Sequence, residues 1–267
     1  MSQEIIGGSF RAAVAVTVLS MAMGWTLTMP AWADEAGAKN LFKAMSDYVS
    51  GQKTISFKYN SNVEIVTPDL QKLTFASSGA AIVNRPDKIR VTRTGGFADV
   101  ELTYDGKSLG LYGKNLNAFT KIAMTGSLDE VIDTLRFDFG LEAPAADLLS
   151  SNPNETMMSN VTDTKDLGSG VIGGVECDHL AFRTLDTDWQ IWITQGDKPR
   201  PCRFTITSKT LALAPEYTIE VTEWKDGSDV ASDDFNLKTA ADAKEVKVEE
   251  LQGLDEIPNL SGKGDGQ

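Results

Sequence analysis

Histidine is nearly missing from this 267-residue chain: His179 is the only one. That scarcity leaves a zinc site short of ligands, because the two cysteines, Cys177 and Cys202, form no close pair in sequence. It also leaves any serine triad a single choice of base. Positive charge is in deficit, with 25 Lys and Arg against 38 Asp and Glu, for a net charge of −13. A chain of this sign is not drawn by long-range attraction to nucleic acid or to an anionic lipid surface. Beyond Met29, no segment approaches the ~18 apolar residues of a membrane span.

The N-terminus carries an export signal. A short polar segment with one basic residue, Arg11, precedes a mainly apolar run from Ala12 to Met29. The run ends at Ala31-Trp32-Ala33, a small-x-small pattern, just before Asp34 and Glu35. This order predicts a signal peptide over residues 1–33, cleaved to leave a mature chain from Asp34. The alternative is an uncleaved anchor, against which Ser20, Gly24 and three threonines dilute the run. No cysteine lies near the cut, so lipoprotein acylation is not expected. Glu4 and Arg11 leave together, so the charge stays at −13. One domain is expected over residues 34–250, and a disordered tail over 251–267.

An oxidising compartment permits a disulfide. A hairpin reading argues against one. With turns near Asp186 and Gly196, Cys177 and Cys202 sit two strands apart, near twice the ~4.8 Å strand spacing. A disulfide needs Cα atoms within about 7 Å. Two unpaired thiols are therefore expected.

Periodicity orders the rest. Leu41, Phe42, Met45, Tyr48 and Val49 recur at helical spacing and predict a first helix stopping at Gly51. A two-residue period then sets in, with Ile55, Phe57, Tyr59, Val63 and Ile65 alternating with polar residues. Further strands are predicted at 73–83, 88–93, 100–104, 108–112 and 117–123, separated by turns such as Asp105-Gly106. Ser127 and Glu130 form a capping-box pattern that opens a helical insert, with Leu128, Val131, Ile132, Leu135 and Phe139 on one face and Gly140 at its end. Short helices follow near Pro144–Leu149 and around Met157 and Met158. Strands resume at 161–167, 175–183, 189–194, 203–208 and 217–224, with a last one near Val246 and Val248. Short connections favour antiparallel neighbours. The sum is an α+β chain, mainly antiparallel β. A strongly curved open half-barrel of about 10–11 strands is expected, its helices covering the concave face.

Two motif matches fail on context. Gly168-Ser169-Gly170-Val171-Ile172-Gly173 fits the dinucleotide fingerprint, but an extended β-branched segment follows instead of a helix. It reads as a glycine-rich turn. Gly106-Lys107-Ser108-Leu109-Gly110 fits a nucleophile elbow, but Ser108 begins a strand instead of sitting between strand and helix. A Ser108–His179 hydrolase is carried as a minor alternative. His179 reads as a strand residue bonded to a neighbour. Asp186, Asp188 and Asp197 read as solvated turn carboxylates.

From Trp189 to Ile193, Trp189, Ile191 and Ile193 face one way and Trp192 the other. Large residues on both faces mean that both faces are covered. The residues alone leave open whether the cover is core on both sides or core on one side and an apolar cavity on the other. The insert likewise fits a fixed cover or a movable lid.

The blocks Cys177-Asp178-His179-Leu180-Ala181-Phe182-Arg183 and Asp188-Trp189-Gln190-Ile191-Trp192-Ile193, with Gly196-Asp197-Lys198-Pro199, resemble a bacterial family of predicted periplasmic proteins labelled as a domain of unknown function. Asn84-Arg85-Pro86-Asp87-Lys88-Ile89 and Phe139-Gly140-Leu141 with Pro144-Ala145-Ala146-Asp147-Leu148-Leu149 resemble it too, and the likeness covers about Ala38 to Val248. That family is similar in fold to the LolA-type periplasmic lipoprotein carriers, half-closed antiparallel barrels with helices plugging an apolar cavity. The resemblance implies this fold and a periplasmic location, and it supplies no catalytic motif. One fold hosts many activities.

The resulting expectation is a non-enzymatic carrier without cofactor or metal. It would hold a lipid, an acyl chain, a lipoprotein or another hydrophobic molecule between sheet and insert. The candidate lining is Leu128, Val131, Ile132 and Leu135 on the insert, with Trp189, Ile191 and Ile193 on the sheet. No nucleic acid partner and no stable membrane insertion after signal cleavage are expected. The alternative is an envelope interaction or stress-sensing module with a protein partner.

Overall fold

The computed structural model describes residues 35–140 and 143–251. The expected signal peptide and nearly all of the expected C-terminal tail lie outside these residues.

Helix α1 spans Glu35–Gly51. Ala38, Phe42, Met45 and Val49 recur every three or four residues and are buried, so one stripe faces the core. Six strands follow: β1 Thr54–Val66, β2 Lys72–Asn84, β3 Lys88–Gly95, β4 Asp99–Tyr104, β5 Ser108–Gly113 and β6 Ala118–Ala123. Each pairs antiparallel with the next. The insert comes next, with α2 at Leu128–Asp133, a π turn at Thr134–Asp138, a 3-10 turn at Ala146–Leu149 and α3 at Pro153–Met158. Strands β7 Asp163–Ile172, β8 Val175–Arg183, β9 Thr187–Thr194, β10 Pro201–Ser208 and β11 Glu216–Asp226 form a second antiparallel run.

The two runs are joined by β1 and β11, which pair antiparallel from Ile55↔Asp226 to Val63↔Tyr217. One twelve-stranded sheet results, in the order β12-β6-β5-β4-β3-β2-β1-β11-β10-β9-β8-β7. It is open, with β12 and β7 at its edges. Strand β12, Lys244–Glu245, is two residues long and lies parallel to β6. It lies just before Val246 and Val248, where the sequence placed a strand. Leu111 of β5 and Phe204 of β10 wall the same cavity. On a flat sheet their strands would stand six spacings, ~29 Å, apart. The sheet is therefore strongly curved. Alternate apolar residues along the strands, such as Phe57, Val91, Leu102 and Ile219, point to the concave side and pack with the helices.

After β11 the chain crosses the outer face of β3–β5. Arg90 holds this crossing through Asp233 (2.9 Å) and the Asn236 carbonyl (3.0 Å), and Phe235 is buried. Past the β12 edge the chain reaches the inner side of the sheet: Leu251, which the sequence assigned to a disordered tail, is buried against Leu111.

The expectation of two unpaired thiols is corrected: Cys177 and Cys202 form a disulfide, with Cα atoms 7.1 Å apart. They do lie on β8 and β10 with β9 between them. The register of β10 against β9 slips between Pro201 and Arg203, so Cys202 sits on a bulge. Cys177 pairs with Thr194, the last residue of β9. A bulge beside a strand end brings the two Cα atoms closer than two regular strand spacings would.

The glycine-rich stretch is also divided differently. Strand β7 runs through it to Ile172, the register slips between Asp166 and Ser169, and the hairpin turn is Gly173-Gly174. Both turn residues have positive φ, +56° and +84°, as a tight two-residue hairpin requires.

Candidate functional site

A cavity of about 250 Å³ lies between the concave face and the insert. Its floor is built by alternation: Phe57, Ala81, Val91 and Leu102 are successive cross-strand neighbours on β1 to β4. Ile219, Val221 and Trp224 of β11 continue it. Its roof is the insert, through Leu128, Val131, Ile132, Leu135, Leu148 and Leu149. The charged residues at the wall are Arg93 and Arg203, and Arg203 turns its side chain to the outer face, over the Trp192 ring and paired with Glu220 at 2.5 Å. A wall so poor in polar groups suits an apolar occupant.

Local sequence explains the roof. Ser127 caps α2: Glu130 N donates to Ser127 Oγ at 3.4 Å, and Ser127 N donates to Glu130 Oε2 at 2.6 Å. The helix then widens into the π turn, where the Phe139 amide donates to the Thr134 carbonyl. Leu135 stays inward while Phe137 turns out to solvent. The sequence predicted one continuous helix to Phe139; the wider turn replaces its second half. Three polar contacts fix the roof. Arg136 Nη2 reaches both oxygens of Asp147 at 3.0 and 3.1 Å. Ser151 N donates to Asp129 at 2.8 Å. Arg85 Nη1 donates to the Leu149 carbonyl at 2.7 Å. Burial pushes the Arg85 guanidinium down from its ordinary pKa, with the charge of Asp129 opposing.

The structure brings together four of the seven residues expected to line a site: Leu128, Val131, Ile132 and Leu135. Trp189, Ile191 and Ile193 stand elsewhere, in the core around α1. Trp189 packs against the rings of Phe42 and Phe182, with centroids 5.3 and 3.9 Å away. Trp192 points to the outer face, where it stacks on His179 at 4.0 Å and packs beside the disulfide. The floor residues on β1–β4 were not singled out from sequence. Their alternation was visible, but alternation marks a face and not what covers it.

The other candidates are dispersed. His179 Nε2 lies 2.9 Å from Gln190 Oε1. Ser108 is on β5, and seven strands separate it from the strand of His179 in the sheet order. Asp188 receives both Arg183 nitrogens at 2.8 Å, and Arg183 holds its carboxyl below the usual range despite burial. Among the described residues no three potential metal ligands cluster. Gly170 of the fingerprint-like stretch lies under Trp192, whose Nε1 would be 3.0 Å from an added Cβ.

Residues 38–249 match the model of a family described as predicted periplasmic protein (DUF2092). The chain belongs to this family. No curated protein matches it significantly. Among solved structures, this family member is similar to the Mycobacterium tuberculosis lipoprotein LppX at 13% identity, over 71% of this chain and 96% of that one, with a TM-score of 0.44. It is similar to LprF from Mycobacterium bovis at 10% identity, over 76% and 100%, with a TM-score of 0.47. It is also similar to a chain of the Pseudomonas aeruginosa MucA/MucB complex at 11% identity, over 76% and 61%, with a TM-score of 0.41. Among the described residues of this DUF2092 protein, no helix is long and apolar enough to cross a membrane.

Proposed function

We propose that the protein is a non-enzymatic periplasmic carrier that holds the apolar part of a lipid or acylated molecule beneath its insert. The cavity carries this reading: about 250 Å³ walled almost entirely by aliphatic and aromatic side chains. An engineered apolar cavity of ~150 Å³ already admits benzene. The present volume falls just below the usual ~300–1,000 Å³ of a ligand site. It therefore accommodates a segment of an acyl chain, and a longer chain requires the insert to lift. Each methylene buried contributes about 0.8 kcal/mol.

The insert suits that motion. Helices α2 and α3 have six residues each, too short to hold their shape without packing. The stability of α2 comes from Leu128, Val131 and Ile132, the side chains that roof the cavity, so displacing it exposes cavity and cargo together. The proposal includes export by the signal peptide over residues 1–33, release without a lipid anchor, and one domain over residues 34–250.

The test is native mass spectrometry of the protein taken gently from the periplasm, followed by organic extraction. A stoichiometric acyl species supports the carrier reading and names its cargo. A homogeneous ligand-free mass, unchanged after incubation with lipids, rejects it in favour of an envelope interaction module.

A further inference from the structure

The antiparallel order puts five connections at one end of the sheet: residues 67–71, 96–98, 114–117, 184–186 and 209–215. Every one carries a large apolar side chain in solvent. Leu70, Phe97, Leu116, Leu185, Leu211 and Leu213 are 48–83% exposed. The tight turns at the opposite end are Arg85-Pro86-Asp87, Asp105-Gly106-Lys107, Gly173-Gly174 and residues 195–200, and none carries an exposed large hydrophobic, though Val171 and Val175 flank Gly173-Gly174 and Phe137 of the insert is exposed. The asymmetry therefore separates the turns of the two ends and is not a property of loops in general.

Four of the tips adjoin in two pairs. Asn115 Nδ2 donates to the Phe97 carbonyl at 3.3 Å, joining two of them. Lys209 N donates to the Asp186 carbonyl at 2.9 Å, joining two more. The β1–β2 hairpin projects past its neighbours, since its last pairings to either side are Val63↔Tyr217 and Ser77↔Gly95.

Two of the leucines occupy backbone that leucine disfavours. Leu70 has φ +65° and Leu213 has φ +59°, in the left-handed region where glycine and asparagine are at ease. A sequence shaped by turn stability alone would place those residues there. The leucine side chain is kept against local preference.

Charge narrows the partner. The five connections contain Asp69, Lys114, Asp186 and Lys209, two of each sign, in a chain of net charge −13. The connections themselves carry no net charge, while the molecule as a whole repels anionic surfaces. We propose that this end docks shallowly on an uncharged, zwitterionic lipid surface, each tip placing its apolar side chain among the acyl groups. The inference rests on the tips alone and does not require the cavity to be loaded.

The experiment is flotation of the periplasmically purified protein with phosphatidylcholine vesicles. The protein should float with the vesicles, and replacing a third of the lipid with phosphatidylglycerol should weaken binding. The Leu70→Asn/Leu213→Asn variant should lose binding by at least about tenfold, with an equal or higher melting temperature, because asparagine accepts positive φ. Three results would overturn the proposal: wild-type protein that stays with the unbound fraction, a variant that floats as well as wild type, or a wild-type dimer that the two substitutions dissociate. The last would assign the tips to a second copy of the chain. Cargo content, read separately by mass, bears on the carrier reading and not on this one.

Discussion

The Tyr48 hydroxyl donates to Asp226 Oδ2 at 2.7 Å, and Trp224 Nε1 donates to the same oxygen at 3.0 Å. The last turn of α1 is thereby tied to the end of β11, beside the floor of the cavity. The Tyr48 bond holds the Asp226 carboxyl below its usual range, burial opposes, and Trp224 assists. Burial pushes the Tyr48 hydroxyl up to about 12, and the bond and charge of Asp226 add to it.

These shifts fix the sign of a pH dependence. A depressed carboxylate contributes fully above its unfolded pKa, near ~4, and loses that contribution as pH falls through the folded value. A raised tyrosine contributes fully below ~10 and loses it as pH climbs toward about 12. Tyr48→Phe should cost about 1–2 kcal/mol near neutral pH, with the deficit shrinking toward pH 3. Urea unfolding of both proteins across this range checks it; a deficit that does not change with pH would show that the pair makes no linked contribution.

The Cys177–Cys202 bridge closes a loop of 25 residues in sequence separation. Its removal as Cys177→Ser/Cys202→Ser should cost about 3 kcal/mol, or roughly 6–12 °C in Tm for a domain of this size. Calorimetry of oxidised wild type against the double variant measures the difference. Equal midpoints would mean that the exported protein keeps two thiols.

Gly79 leaves room for the ring of Tyr59. A Cβ added at this glycine would stand 2.5 Å from Tyr59 Cζ and 2.1 Å from the Thr92 carbonyl oxygen, to which Tyr59 donates. Gly79→Ala should destabilise the protein by about 2 kcal/mol or more, because a strand must shift and backbone cannot yield as a flexible side chain does. An unchanged urea midpoint would be evidence against this close approach.

Ala81 is a buried floor residue between Phe57 and Val91. Ala81→Leu grows into the cavity, not into packed core, so its effect on stability should stay within about 1 kcal/mol. Uptake of a fluorescent fatty acid should fall by about tenfold or more, as room for several methylenes is lost. Undiminished uptake by a folded variant would place cargo elsewhere. Aspartates at Val131 and Leu135 would be a poorer test, since both side chains are buried core and an unpaired carboxylate there threatens folding itself.

Much of the fold is legible along the chain because its signals are local. The period-two stretch from Ile55 to Ile65 became β1, Asp105-Gly106 became a hairpin turn, and Ser127 with Glu130 became a capping box. The four insert positions in the cavity wall were legible for the same reason: they share a helix face. Trp189, Ile191 and Ile193 show where such signals end. Their common face was readable, but whether α1 or empty space lay against it was not, because that depends on Phe42, more than a hundred residues earlier in the chain. The disulfide escaped for a related reason. Regular strand spacing forbade it, and the bulge at Cys202 arises only when β10 is laid against β9.

The sequence by itself determined the strands, their turns, the capped insert and the acidic balance, since each follows from side-chain period or from counting charge. Tertiary structure alone decided that β1 pairs with β11 to make one sheet, that curvature leaves a cavity under the insert, and that the connections bearing exposed leucines lie at one end. Those outcomes depend on pairings between residues far apart in the chain, which no local pattern specifies.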